Sequence, residues 1–167
     1  MKAAKGMLKS FANSVMVRNY KYRIRPNRKF RAACEVTLDG CRELYNAGLH
    51  QRREAYKVAG KSLSWVEQSR DLTQARELPE VQAILRTFQT QTLKKLDRSF
   101  KDFFRRVRQH KEKSGFPRFR GRDRFDSFTT ADAREFRLEG DKLTVQKLGS
   151  VRLRLSRPLG GKAFPKR

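Results

Sequence analysis

The sequence predicts an α+β fold, a small antiparallel β-barrel interrupted by an inserted helical bundle with one long helix. Three observations point there. Apolar residues repeat every second position near the N-terminus, at helical spacing from about Arg28 to Glu112, and every second position again from Ser127. The first strand has nothing local to pair with, so its partners must be the strands at the far end of the chain. And 37% hydrophobic residues, including 12 Phe, among 167 residues can build a real core, which argues against wholesale disorder.

The elements follow in order. Between Met16 and Ile24 the pattern settles into Tyr20, Tyr22 and Ile24 alternating with Lys21, Arg23 and Arg25, a half-buried strand with one wet, basic face. Pro26 stops it and Asn27 can cap a helix. Phe30, Cys34, Leu38, Cys41, Tyr45 and Leu49 then recur at steps of three and four, predicting a helix from Arg28 to Ala59 that Gly60 ends. Ser64 with Glu67 forms a capping box and opens a second helix carrying Trp65, Leu72 and Ala75. Pro79 suits the first turn of a third helix with the stripe Val81, Leu85, Phe88, Thr92, Leu96, Phe100, Phe103 and Val107. Run to Glu112 it would be roughly 50 Å long. Its opposite side holds Lys94, Lys95, Arg98, Lys101, Arg105 and Arg108, and Ser114-Gly115 terminates it. Phe136 and Leu138, then Leu143 and Val145, then Val151, Leu153 and Leu155 are short strands, with turns at Gly140-Asp141 and Gly149-Ser150. Arg152 and Arg154 point away from the face that Leu153 uses.

Charge narrows the function. Lys and Arg number 41 against 17 Asp and Glu, a formal net charge of +24, and the excess runs the whole length of the chain. Such a chain repels itself when compact, so a polyanion is the natural partner and a phosphate backbone the best fit. Arg outnumbers Lys, 25 to 16, and Arg can fork onto phosphate or stack on bases. The excess peaks between Lys101 and Arg124, with ten basic and three acidic residues. Inside that stretch, Gly115-Phe116-Pro117-Arg118-Phe119-Arg120-Gly121-Arg122 interleaves aromatics with Arg. The rings suit stacking on bases while the guanidinium groups take phosphates. Equally, both Phe residues could anchor the segment in the core with the Arg alone exposed.

Other classes fit poorly. No apolar run approaches the roughly 18–20 residues that span a bilayer, and Met1–Ser14 has no continuous apolar stretch of the signal-peptide kind. Cytoplasm, with association to the nucleoid, is the expected location. Cys34 and Cys41 are seven apart, which on a helix separates them by about 10 Å, too far for a disulfide. With His50 and His110 the only histidines, a zinc site is not indicated, and the cysteines read as small core residues. Scattered carboxylates and two histidines offer no catalytic cluster.

Five segments carry a resemblance to a known family. Tyr22-Arg23-Ile24-Arg25-Pro26 resembles the "YRLYP" opening of the TnpB (OrfB) proteins encoded by bacterial transposons. Cys41 to Asn46 is similar to their "CRFVYN", Leu96 to Phe104 to "LDRAFKNFF", Gly115 to Phe119 to "GFPRF", and Leu148 to Arg152 to "LGRVR", with Arg157-Pro158-Leu159 following. The segments stand in order and at proper spacing from Tyr20 to Gly161. A ribosomal-type RNA binder would share the charge without explaining them.

The resemblance implies an RNA-guided DNA endonuclease related to type V CRISPR effectors. In that family a wedge β-barrel and a helical recognition lobe hold a guide RNA and its double-stranded target DNA, and read a short motif beside the target. The expected division is a disordered extension over 1–14, a wedge-type barrel over 15–26 and 115–167, and a recognition lobe over 27–114. By position, Trp65 and Ser69 stand where the family's recognition helix meets the target-adjacent motif, with Arg86 and Thr90 facing it from the long helix. Thr90 departs from a common Gln. Trp65 and Arg86 read equally as a core anchor and a solvated charge. The full set of residues expected to touch nucleic acid is Arg23, Trp65, Ser69, Arg86, Thr90, Lys94, Arg98, Lys101, Arg105, Arg108, Arg118, Arg120, Arg122, Arg152 and Arg154. The family cuts with three RuvC carboxylates that bind two metal ions. That strand, like the zinc ribbon, lies beyond Arg167, so no catalytic residue, metal or cofactor is expected within these residues. The barrel is expected to be incomplete for the same reason, and Met16 is a candidate start. The alternative reading is a nonfunctional transposase remnant with no stable partner.

Overall fold

The computed structural model describes residues 19–109 and 115–158. The expected extension at 1–14, the strand start at Met16, and His110, Glu112 and Ser114 all lie outside the described residues.

Strand β1 spans Arg23–Arg25 only. A strand needs a partner, and β1 finds it in β4 (Gly149–Arg154), pairing Arg23 with Arg154, Ile24 with Leu153 and Arg25 with Arg152. Because β4 ends at Arg154, Tyr22 has no strand opposite it. Its hydroxyl donates instead to the carbonyl of Arg157, and its ring stacks on Tyr20 with centroids 6.1 Å apart. The expected half-buried face holds for Tyr20 and Tyr22, whereas Ile24, on an edge strand, is 46% exposed.

Helix α1 runs Arg28–Ala59, with the expected ends. The Asn27 side chain accepts a hydrogen bond from the Phe30 N–H at 2.8 Å, and Gly60 closes the helix in the left-handed region at φ 61°. Its stripe of Phe30, Cys41, Tyr45 and Leu49 is buried, with Cys34 and Leu38 packed beside it. Burial pushes the Cys41 thiol pKa up, consistent with an inert core residue. Helix α2, Trp65–Gln74, opens on the predicted capping box: the Glu67 carboxylate accepts from Ser64 N–H at 2.8 Å, and Ser64 Oγ accepts from Glu67 N–H.

The long helix from Pro79 does not form as one piece. Pro79–Ala83 is a short helix, α3, and Arg86–Arg108 a separate one, α4, about 35 Å long. Between them Ile84 and Leu85 are extended, at ψ 140° and 138°. Extended neighbours point to opposite sides of the backbone, and both are buried here. Two partners make the break tolerable. Gly40 of α1 leaves room for Ile84, whose Cδ1 would lie 2.2 Å from any Cβ at that position. The Gln89 amide donates to the Val81 carbonyl at 2.6 Å, a second bond to a group that also accepts from the Ile84 N–H at 3.3 Å, and so ties the two helices together across the break. The stripe survives in Phe88, Thr92 and Leu96, gains Gln89 and Leu93, and fades at Val107, which is 45% exposed.

Strands β2 (Phe136–Glu139) and β3 (Lys142–Val145) form the expected hairpin around Gly140-Asp141, with Gly140 at φ 58°. The second turn falls earlier than expected. Gln146–Leu148 turn, with Lys147 at φ 62°, and Gly149-Ser150 already belong to β4. The shift buries Leu148, and Lys147 Nζ donates to the Gln82 carbonyl. Leu155 lies past the end of β4.

The sheet is antiparallel in the order β1-β4-β3-β2 and does not close on itself, as an incomplete barrel would. Leu148 and Val151 join Phe30, Tyr45, Leu96 and Phe125 in one core, so the helices and the sheet share their apolar interior.

Candidate nucleic-acid interface

The predicted residues gather into three groups. On the sheet, register decides the geometry. Arg23 lies directly across from Arg154, and Arg25, Arg152 and Lys142 are in line across three strands. Residues paired across strands share a face, so all five cations occupy the side opposite Val151. None makes an ion pair with the described residues; Glu139, the carboxylate opposite Lys142, is taken by Arg137 at 2.6 Å. Like charges directly opposite destabilise a sheet. The sequence placed Arg25 on the basic strand face without counting it among the contact residues, and Lys142 was missed, because the alignment depends on the β1–β4 and β3–β4 registers.

The second group lies where α2 meets α4. Lys94 Nζ sits 4.8 Å above the Trp65 ring, which is half-buried. Ser69 follows one turn along α2, and Arg86, Thr90, Lys94 and Arg98 recur every fourth residue on α4. Arg86 is exposed, whereas the Thr90 hydroxyl donates back to the Arg86 carbonyl at 3.0 Å and is engaged within its own helix. A residue that the sequence reading did not single out joins them. Arg76 has two guanidinium nitrogens buried without a partner, and its pKa is lowered first by burial and then by the charge of Arg86. Farther along α4, Lys101 bridges to Asp97 at 2.9 Å and Arg105 to Asp102 at 2.9 Å, and Arg108 is exposed in the last turn.

The Gly115–Arg122 loop is the third group. Asn46 of α1 fixes it, its amide donating to the Arg120 carbonyl at 3.0 Å and accepting from the Arg120 N–H at 2.8 Å. Arg118 is exposed, Arg120 lies 5.8 Å from the Tyr45 ring centroid, and Arg122 bridges to Asp39 at 2.8 Å. Phe116 packs edge-on against Phe100 and Phe103, yet is 43% exposed, and Phe119 is 46% exposed beneath the Arg53 guanidinium. Both rings are thus partly packed and partly exposed.

Beneath the second group a buried polar clamp holds α2 in place. Arg52 Nε donates to Gln68 Oε1 at 2.8 Å and its Nη2 reaches Asp97 at 3.2 Å, while the Gln68 amide donates to the Gly48 carbonyl and to Gln51. Burial lowers the Arg52 pKa, and Asp97 opposes that shift. Among the described residues, no three His, Cys, Asp or Glu side chains are placed to hold a metal ion, and no helix is long and apolar enough to cross a membrane.

Residues 16–61 match a helix-turn-helix domain, that of OrfB proteins of the IS605 type. The match likens this part of the chain to a helix-turn-helix domain and covers less than half of the 167 residues. In the described part of that segment the structure has β1 and the uninterrupted α1, with the turn to α2 only at Gly60. Over 148 residues the chain is 27% identical to InsQ of Escherichia coli (strain K12), provisionally named an RNA-guided DNA endonuclease; the alignment covers 85% of this chain. The chain spans 35% of the length of that relative. Together the two matches bear out the resemblance to the TnpB (OrfB) family across the stretch they cover.

Proposed function

We propose that this chain is the nucleic-acid-binding N-terminal module of a TnpB-like protein, holding guide RNA and double-stranded target DNA, with the cutting chemistry outside these 167 residues. One observation carries the reading: five cations aligned on a sheet face, Arg against Arg across the strands, without a bonded carboxylate. That arrangement costs stability in the free protein and is relieved by a row of phosphates. The α2–α4 ridge of Trp65, Ser69, Arg86, Thr90 and Lys94 would face the DNA beside the target, with Arg86 and Lys94 supplying the charge. Since the Thr90 hydroxyl is engaged within the helix, it would contribute shape more than a hydrogen bond.

A salt titration tests this. Affinity for a structured RNA should fall about 10³-fold or more between roughly 50 and 200 mM salt, as for a protein meeting several phosphates. Replacing Arg152 and Arg154 by Gln should reduce the slope of log affinity against log salt by about two. Affinity that stays constant across that salt range would overturn the proposal.

A further inference from the structure

A groove of about 830 Å³ opens between the C-terminal half of α1, the connection at Ser62–Ser64 and the last turns of α4. The volume is within the roughly 300–1,000 Å³ of ligand clefts. Its wall is aromatic. Phe116 meets Phe100 at 5.5 Å and 89° and Phe103 at 5.2 Å and 74°, and Phe104 lies 5.2 Å from Phe103. Phe104 is 47% exposed and lines the groove. Its rim is cationic: Arg53, Lys57 and Lys101 border it. Of the two carboxylates there, Asp97 is already bound by Arg52 and Lys101, leaving Glu54.

An apolar hollow edged by cations suits an anion that carries flat, apolar rings. We infer that the groove takes unpaired bases of a single-stranded nucleic acid, stacked on Phe104 and Phe116, with the adjoining phosphates on Arg53 and Lys57. The inference rests on the nucleic-acid reading above and adds to it a place where bases are held, as distinct from a backbone. It also accounts for Arg53, which covers Phe119 and so continues the cationic rim from the groove toward the 115–122 loop. Stacking of this kind tolerates any base, because each has a π-face, and gives no sequence readout.

The test uses the full chain and three probes at one salt concentration: a thymidine oligonucleotide, an abasic oligonucleotide of equal length, and a duplex. The thymidine strand should bind about tenfold more tightly than the abasic strand, which matches it in phosphates and lacks bases. Phe104→Leu should remove that advantage and leave abasic-strand and duplex binding unchanged, whereas Phe104→Tyr, which keeps a ring, should retain it. Phe104 is half-exposed, and an unchanged thermal melt of Phe104→Leu shows that the loss is not unfolding. Equal affinity for thymidine and abasic strands overturns the groove while leaving the electrostatic reading intact. No salt-dependent binding of any probe overturns the electrostatic reading itself, and the groove with it. Concentration-dependent dimerisation abolished by Phe104→Leu would assign the groove to a second copy of the chain and also overturn the inference.

Discussion

In the helical lobe the Arg52 guanidinium is 6% exposed, bonded to Gln68 and Asp97, and surrounded by three helices. On the sheet, Arg23, Arg25, Lys142, Arg152 and Arg154 are exposed and face one another. The two regions treat positive charge in opposite ways. A cation buried as deeply as Arg52 needs partners, because a charge left alone in the interior is costly; the less enclosed Arg76 of the same lobe keeps two guanidinium nitrogens unpaired. An exposed row needs no partner to fold, and its mutual repulsion makes it receptive to an outside anion. The lobe is therefore built for rigidity and the sheet face for contact, on one shared core.

Three substitutions press on that contrast. Arg52→Ala has the largest expected effect, since it leaves Asp97 and Gln68 without their buried partner and should cost about 3 kcal/mol. Thermal unfolding should show a drop of several degrees, and Arg52→Met should recover part of it. A loss below about 1 kcal/mol would mean that the clamp is not what holds α2 to α1 and α4. Next comes Gly40→Ala, which forces the end of Ile84 to move and should cost about 1–3 kcal/mol by overpacking. Adding Ile84→Val should return much of that loss, and a double-mutant cycle with no coupling would refute the account of the helix break. The smallest effect has the opposite sign. Arg152→Gln relieves repulsion from Arg25 and Lys142 and should stabilise the free protein by about 0.2–1 kcal/mol, while weakening RNA binding. If it instead destabilises the free sheet, the register argument fails and with it the contrast between the two regions.

How far these regions could be read from residues alone differs for physical reasons. The ends of α1, the Ser64–Glu67 box and the Gly140 hairpin are local: each depends on residues within a few positions, and each forms as expected. The break at Ile84–Leu85 is not local. Val81, Leu85 and Phe88 keep a helical period straight through it, and only Gly40 and Gln89, brought close by the fold, favour the extended backbone. The cationic groups were legible one by one in Arg23, Arg25, Arg152 and Arg154, but their alignment required the register, which also brought in Lys142. Arg76 and the Asn46 bridge left no periodic signal at all.

The Asn46 bridge has a consequence for how the loop can vary. Its amide grips the peptide unit of residue 120 through N–H and C=O, and is indifferent to the side chain carried there. Any residue except proline, which has no N–H, can stand at 120 and keep both bonds to Asn46. Position and chemistry are thereby separated: the loop can exchange its Arg and Phe residues, and so its ligand preferences, while its path over the helix stays fixed.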